Sequence, residues 1–250
     1  MEERVALVTG SGKGVGAGIV RFLAMRGIRC CMNCHSNPEL AEKNRAAISE
    51  QGGQTILVQA DVSDPAGAEM LVEKTLAAYG RLDILVNNAA LQLNRYLDEY
   101  TVDALQSLWN VNVGGYLNMV QYALPALRKS PCARIINISS IHGKRPTGFD
   151  PGYAMCKGAV RMFTRELALE LKKDHIPVNA IDLGGCKIEF KTGNPPFRMR
   201  PIPGTKNPEL DGPWQVLPEE VGSLVYYLAS PEAEAVNGSG IRIDRGLVLI

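Results

Sequence analysis

The chain has almost no charge imbalance, no long apolar run and no disulfide pattern, and each absence removes a class of function. Net charge is +1 over 250 residues, which gives no general reason to expect nucleic acid or an anionic membrane as partner. No apolar run reaches membrane-spanning length, so no membrane partner is expected. Met1-Glu2-Glu3-Arg4 leads straight into an apolar strand pattern. That leaves no room for a signal peptide, and a cytoplasmic location is the default expectation. The six cysteines, Cys30, Cys31, Cys34, Cys132, Cys156 and Cys186, show no disulfide framework. Cys31 and Cys34 have redox-motif spacing, but they sit at a strand end, and an activated thiolate needs something like a helix N-terminus. Zinc would need more ligands than this pair offers. The thiols read as buried filler. Internal repeats and low-complexity segments are also missing.

What is present describes a folded domain. Apolar residues make up 46% and charged residues 21%, a globular composition. The length suits one α/β domain over residues 1–250. Apolar periodicity predicts strands at 5–8, 29–33, 55–58, 82–86, 134–138, 178–182 and 240–244. It predicts helices at about 14–26, 38–51, 65–79, 102–128, 153–173 and 218–229. Alternation of this kind implies a doubly wound parallel sheet in three layers, α/β/α. One composition shift stands out at Gly184–Pro213, which is rich in proline and glycine with little periodicity. A stretch of that length without regular structure is usually functional.

Two motifs carry chemistry. Val5–Val8 reads as a buried strand, Thr9-Gly10-Ser11-Gly12-Lys13-Gly14-Val15-Gly16 follows at once, and a helical pattern follows that. Strand, glycine turn and helix are the context of a dinucleotide fingerprint, which makes the predicted sheet a Rossmann-type one. Gly10 lets the chain turn, while Gly14 and Gly16 let backbone and helix approach a pyrophosphate. The helix N-terminus then offers it unpaired N–H groups. The second motif is Tyr153-Ala-Met-Cys-Lys157, preceded by Ser140. Tyr and Lys four apart on a helix share a face. A phenol with a pKa of about 10 is a poor proton carrier near neutrality, and a fixed ammonium beside it is expected to lower that value. Ser140 could hold the oxygen that gains or loses the proton. Next to a hydride carrier, this is equipment for interconverting a carbonyl and an alcohol.

Together these motifs resemble the short-chain dehydrogenase/reductase family. The resemblance covers essentially the whole chain, through the Thr9–Gly16 turn, Asp61-Val62, Asn87-Asn88-Ala89-Ala90, Asn112, Ser140, Tyr153, Lys157 and Val178-Asn-Ala-Ile181. It implies that Tyr153 exchanges the proton, Lys157 lowers its pKa and reaches the nicotinamide ribose, Ser140 orients the substrate oxygen, and Asn112 helps hold a relay water. It implies that Asp61 and Val62 meet the adenine, that Asn87, Asn88 and Ala89 flank the adenosine ribose, and that Gly184–Pro213 is a substrate lid whose start, Gly184, Cys186 and Ile188, touches cofactor. It also implies a homo-oligomer, a tetramer or dimer, pairing the helices that carry Asn112 and Tyr153.

The chain departs from the family at informative places. The second strand ends in Asn33-Cys34-His35-Ser36 with no carboxylate until Glu39. NAD-preferring relatives carry Asp at the Cys34 position, where it would bind the ribose hydroxyls and repel a 2′-phosphate. Lys13, His35 and Ser36 could clamp that phosphate. NADP(H) is therefore the preferred cofactor, with NAD(H) as the alternative. Leu183 replaces the usual Pro, and Ile188 replaces a Thr that bonds the nicotinamide carboxamide. Ile243-Asp-Arg-Gly246 replaces an Asp-Gly-Gly ending, so Arg245 could alter a subunit contact. The substrate expectation is a small carbonyl or alcohol met by Ser140, His142, Arg145 and Tyr153. The basic residues around the lid region favour a polar one, a sugar or polyol, with a 3-oxoacyl thioester as the alternative. A non-catalytic cofactor-binding protein on the same fold is the alternative of another class.

Overall fold

The structure, a computed structural model, describes residues 3–146, 150–188 and 215–249. The predicted lid, 184–213, lies outside the described residues except for 184–188.

Seven strands form one parallel sheet: β1 (Val5–Val8), β2 (Arg29–Cys34), β3 (Thr55–Gln59), β4 (Ile84–Asn87), β5 (Arg134–Ser140), β6 (Val178–Leu183) and β7 (Gly240–Ile243), in the order β3-β2-β1-β4-β5-β6-β7. Every residue of β1, β4 and β5 is buried, as expected of strands covered on both faces. The direction of winding reverses between β1 and β4. In open sheets of this class, ligands bind at the carboxyl ends on either side of that reversal.

Helices α1 (Gly14–Ala24), α2 (Pro38–Glu50), α3 (Pro65–Tyr79), α4 (Val102–Trp109), α5 (Gly115–Leu127), α6 (Pro151–Glu170) and α7 (Pro218–Leu228) make up the other layers. Ile19, Leu23, Val221 and Val225 from α1 and α7 pack with Val8, Met32 and Val86 on one face. Leu71, Met119, Val120 and Leu167 from α3, α5 and α6 pack with Leu7, Leu85 and Ile135 on the other. A Cβ on Gly18 would lie 2.2 Å from the Pro218 side chain, so α1 and α7 cross in near backbone contact. Pro38, Pro65, Pro151 and Pro218 begin four of the helices, where the missing N–H costs nothing.

Two elements differ from the pattern. The predicted helix 102–128 is interrupted at Asn110–Gly114 by a wider π turn, in which the Gly115 N–H reaches the Asn110 carbonyl. Periodicity cannot see one extra residue in a helix, and such turns concentrate at functional sites. The predicted helix 153–173 starts earlier, at Pro151, because Asp150 caps it through the Tyr153 N–H (3.0 Å).

Candidate active site

The glycine turn is a built structure. Gly10 and Gly14 have φ of +60° and +58°, which glycine adopts without strain. A Cβ on Gly16 would lie 2.6 Å from the Gly10 carbonyl oxygen and from the Asn88 amide, so only glycine fits there. Lys13 is the N-cap of α1 and makes no side-chain cap bond. The first N–H groups of α1 thus lack a capping side chain, as a pyrophosphate-binding helix start requires. Lys13 itself is exposed.

Several predicted cofactor residues hold this turn in shape. Asn33 is 2% exposed. It accepts from the Gly10 N–H (2.9 Å) and donates to the Ala60 carbonyl (3.0 Å). Ser11 is fully buried and donates to the Val8 carbonyl at 2.7 Å. The Asn88 amide donates to the Thr9 and Gly10 carbonyls (2.8 and 3.0 Å). Thr9 Oγ1 accepts from the N–H groups of Asn88 and Ala89, which ties the turn to the end of β4. Asn87 is fully buried and donates to Asn137 Oδ1 at 2.9 Å. The amide nitrogens of Asn87 and Asn88 are thus engaged by protein atoms, while Asn87 Oδ1 is buried without a hydrogen-bond partner among the described residues.

At the end of β2, the Cys34 Cβ would lie 3.0 Å from a Cβ on Gly12, which sets the turn against residues 34–36. Cys34 is 5% exposed, and burial pushes its thiol above the ordinary range. His35 is exposed, with Nε2 3.8 Å from Asp61 Oδ2, and Ser36 is exposed beside it. Asp61 Oδ1 accepts from the Ser63 N–H and hydroxyl. Val62 is buried and would lie 2.8 Å from a Cβ on Gly115. Ile188 stands over the turn, 3.6 Å from the place of a Gly14 Cβ. Gly184 donates its N–H to the Ile243 carbonyl at 2.9 Å. Cys186 pairs with Val216, and burial, then Glu219 and Glu220, push its thiol up to about 12.

The second motif lies across the reversal point, where β5 ends at Ser140 and α6 begins. Tyr153 hydrogen-bonds Ser140, which draws its pKa down. Burial, first, and the Asp150 carboxylate, second, outweigh that and hold the phenol above its ordinary value. Lys157 is 1% exposed. Its Nζ donates to the Ile138 carbonyl (2.8 Å) and the Tyr116 hydroxyl (3.4 Å), and it lies 5.5 Å from the centre of the Tyr153 ring. Burial pulls it down to about 8. The sequence leads us to expect a lowered phenol, and in the structure burial and Asp150 hold it up. The ammonium is engaged one layer down, and burial dominates at the phenol. Tyr116, which the sequence reading missed, donates to the Ile138 carbonyl at 3.0 Å and so shares the acceptor that Lys157 uses.

Asn112 is fully buried. Its amide donates to the Leu91 and Leu108 carbonyls (both 2.9 Å) and its Oδ1 accepts from the Leu91 N–H (3.3 Å). The side chain therefore fixes the loop after β4. The His142 ring meets Tyr153 edge-on at 6.1 Å, and burial pulls its pKa down to about 4. Arg145 donates to the Val248 carbonyl at 2.9 Å. One guanidinium nitrogen thus makes a contact with the backbone of Val248. Asp150 was also missed, although an Asp directly before Pro at a helix start is a capping signal.

Comparison with known proteins agrees with this geometry. The short chain dehydrogenase family model matches residues 4–196. The chain is 33% identical over 247 residues to hydroxynaphthalene reductase arp2 of Aspergillus fumigatus, covering 94% of this chain and 89% of that one. It is 31% identical to glucose 1-dehydrogenase 2 of Bacillus subtilis, covering 98% and 95%. A short chain dehydrogenase from Burkholderia cenocepacia in complex with NADP superposes with a TM-score of 0.84 at 29% identity, covering 98% of each chain. The uncapped helix start, the glycine cradle and the Ser140–Tyr153–Lys157 cluster thus occur in a chain that belongs to the short-chain dehydrogenase/reductase family of NAD(P)-dependent oxidoreductases.

Proposed function

We propose that the protein is an NADP(H)-dependent reductase of a polar ketone, working also in reverse on the secondary alcohol. The observation that carries this is the half-buried Tyr153 phenol, held above its ordinary pKa and hydrogen-bonded to Ser140. A phenol kept protonated is poised to donate. A bound reduced nicotinamide dinucleotide would supply hydride to the carbonyl carbon. Tyr153 gives its proton to the oxygen, and Ser140 holds that oxygen in line. Lys157 stays cationic below a pH of about 8 and stabilises the phenolate as it forms. The α1 N-terminus and glycine turn hold the pyrophosphate. Lys13, His35 and Ser36, exposed at the rim beside Cys34, suit a 2′-phosphate and support NADP(H) over NAD(H).

A sugar or polyol remains the substrate class we favour, in keeping with the relative named for glucose. We also infer self-association through α4, α5 and α6, which leave Val102, Trp109, Leu117, Met155, Met162 and Leu169 exposed. Apolar side chains repeated along neighbouring helices are what a subunit contact covers. Light scattering should report a dimer or tetramer, and a monomer at micromolar concentration would refute this contact. The catalytic reading is tested by Tyr153→Phe in single-turnover assays with NADPH and a carbonyl panel. Turnover should fall by about 10²–10⁴ with little change in nucleotide affinity. Retention of more than about a tenth of the rate would remove Tyr153 from its role.

A further inference from the structure

Asp150 is a buried carboxylate, 3% exposed, that the chemistry above does not use. Its partners come from three separate segments. Oδ1 accepts from the Tyr153 N–H at 3.0 Å and from the Tyr100 hydroxyl. Oδ2 accepts from the N–H groups of Asn94 (2.9 Å) and Leu93 (3.3 Å). Tyr100 lies just before α4, Leu93 and Asn94 lie in the loop after β4, and Tyr153 lies in the first turn of α6. The same loop is held at its other end by Asn112, through both backbone groups of Leu91. Asn94 has φ of +54°, a conformation uncommon outside glycine, so the loop is bent where Asp150 grips it. A Cβ on Gly152 would lie 2.6 Å from the Tyr100 hydroxyl, which leaves little room for the assembly to shift.

We propose that Asp150 is a positioning residue for the reaction: its carboxylate locks the loop after β4 to the first turn of α6, and so fixes where Tyr153 stands relative to that wall of the cleft. One carboxylate with two acceptor oxygens can bridge backbone N–H groups of different segments, whereas a neutral cap of the same size offers one such oxygen. The inference rests on Tyr153 as the proton carrier. It also has an electrostatic side. The groups that face the phenol are Ser140 at the end of β5, the neutral His142 ring in the following turn, Lys157 and Cys156 on α6, and Tyr116 on α5. Asp150 is the anion among them, and it raises the phenol.

Asp150→Asn separates a cap from a bridge. Its remaining oxygen can still cap α6, but an NH₂ then faces the N–H groups of Leu93 and Asn94. Hydrogen exchange on the protein without nucleotide should show residues 91–94 exchanging at least tenfold faster, with the first turn of α6 little changed. In turnover assays kcat should fall more than KM changes, and the apparent pKa of the kcat profile should move down. Asp150→Glu, which keeps the charge, should restore the profile but not the full rate. If Asp150→Asn does not fold, Asp150→Ser keeps a capping oxygen and faces the same criteria. Unchanged exchange at 91–94, or a lower kcat on an unshifted pH profile, would overturn the proposal. The exchange readout needs no turnover, so its failure is separate from that of the Tyr153 reading.

Discussion

His142 makes the acid stability of this protein measurable at one side chain. The imidazole is half-buried beside Tyr153, and desolvation lowers its pKa from 6.5 to about 4 while Asp150 pulls the other way. Between those two values the unfolded chain carries a proton that the native chain does not. The sign follows from linkage: where the unfolded state binds more protons, stability rises with pH. His142 therefore costs nothing above pH 6.5 and destabilises progressively as pH falls toward 4. At about 1.36 kcal/mol per pH unit, the full window is worth on the order of 3 kcal/mol. His142→Gln keeps a polar planar group and removes the titration. Denaturant unfolding of both proteins at steps from pH 4 to 7.5 gives the difference directly, because the carboxylates titrate alike in both. The variant should gain about 3 kcal/mol on wild type between pH 6.5 and 4. A difference that stays constant within about 0.5 kcal/mol over that window would refute the burial of a neutral imidazole.

Two further outcomes test the cofactor end. Cys34→Asp should turn NADPH preference toward NADH, because like charges about 4 Å apart cost ~1–4 kcal/mol at effective dielectrics of 80 to 20. The ratio of kcat/KM for the two cofactors reads this, and a wild type that already prefers NADH would refute the reading of Lys13, Cys34, His35 and Ser36. Asn33→Ala should strand the Gly10 N–H and the Ala60 carbonyl and cost about 2–4 kcal/mol. It should also weaken nucleotide binding at least tenfold in fluorescence titrations, and an unchanged affinity would mean that the turn holds its shape without Asn33.

The parallel sheet was legible because its strands are short apolar runs separated by helical periodicity. Val5–Val8 and Ile84–Val86 are fully buried and read so from composition alone. The glycine turn was legible for the same reason, since a strand, four alternating glycines and a helix constrain one another. What the sequence did not disclose was direction. Asn33, Asn87 and Asn88 occupy positions where a cofactor is expected, and their side chains also bond protein atoms. A polar residue at a strand end can satisfy a turn or a ligand, and only the neighbouring backbone decides. Spacing on a helix reports a shared face and says nothing of depth: Lys157 reaches down to Ile138 and Tyr116. Tyr100 and Asp150 were invisible as a pair because 50 residues separate them.

The wide turn at Asn110–Gly114 acts as a phase shifter. One added residue advances a helix by about 100°, so the face that α4 presents and the face that α5 presents are set independently. α4 can aim Leu108 into the protein while α5 aims Tyr116, Met119 and Val120 at the sheet. Deleting one residue between 110 and 114 would merge the two helices into a regular rod. Either the inward stripe of α5 would then rotate off the sheet, or Asn112 would leave the Leu91 backbone, since a straight helix cannot serve both alignments.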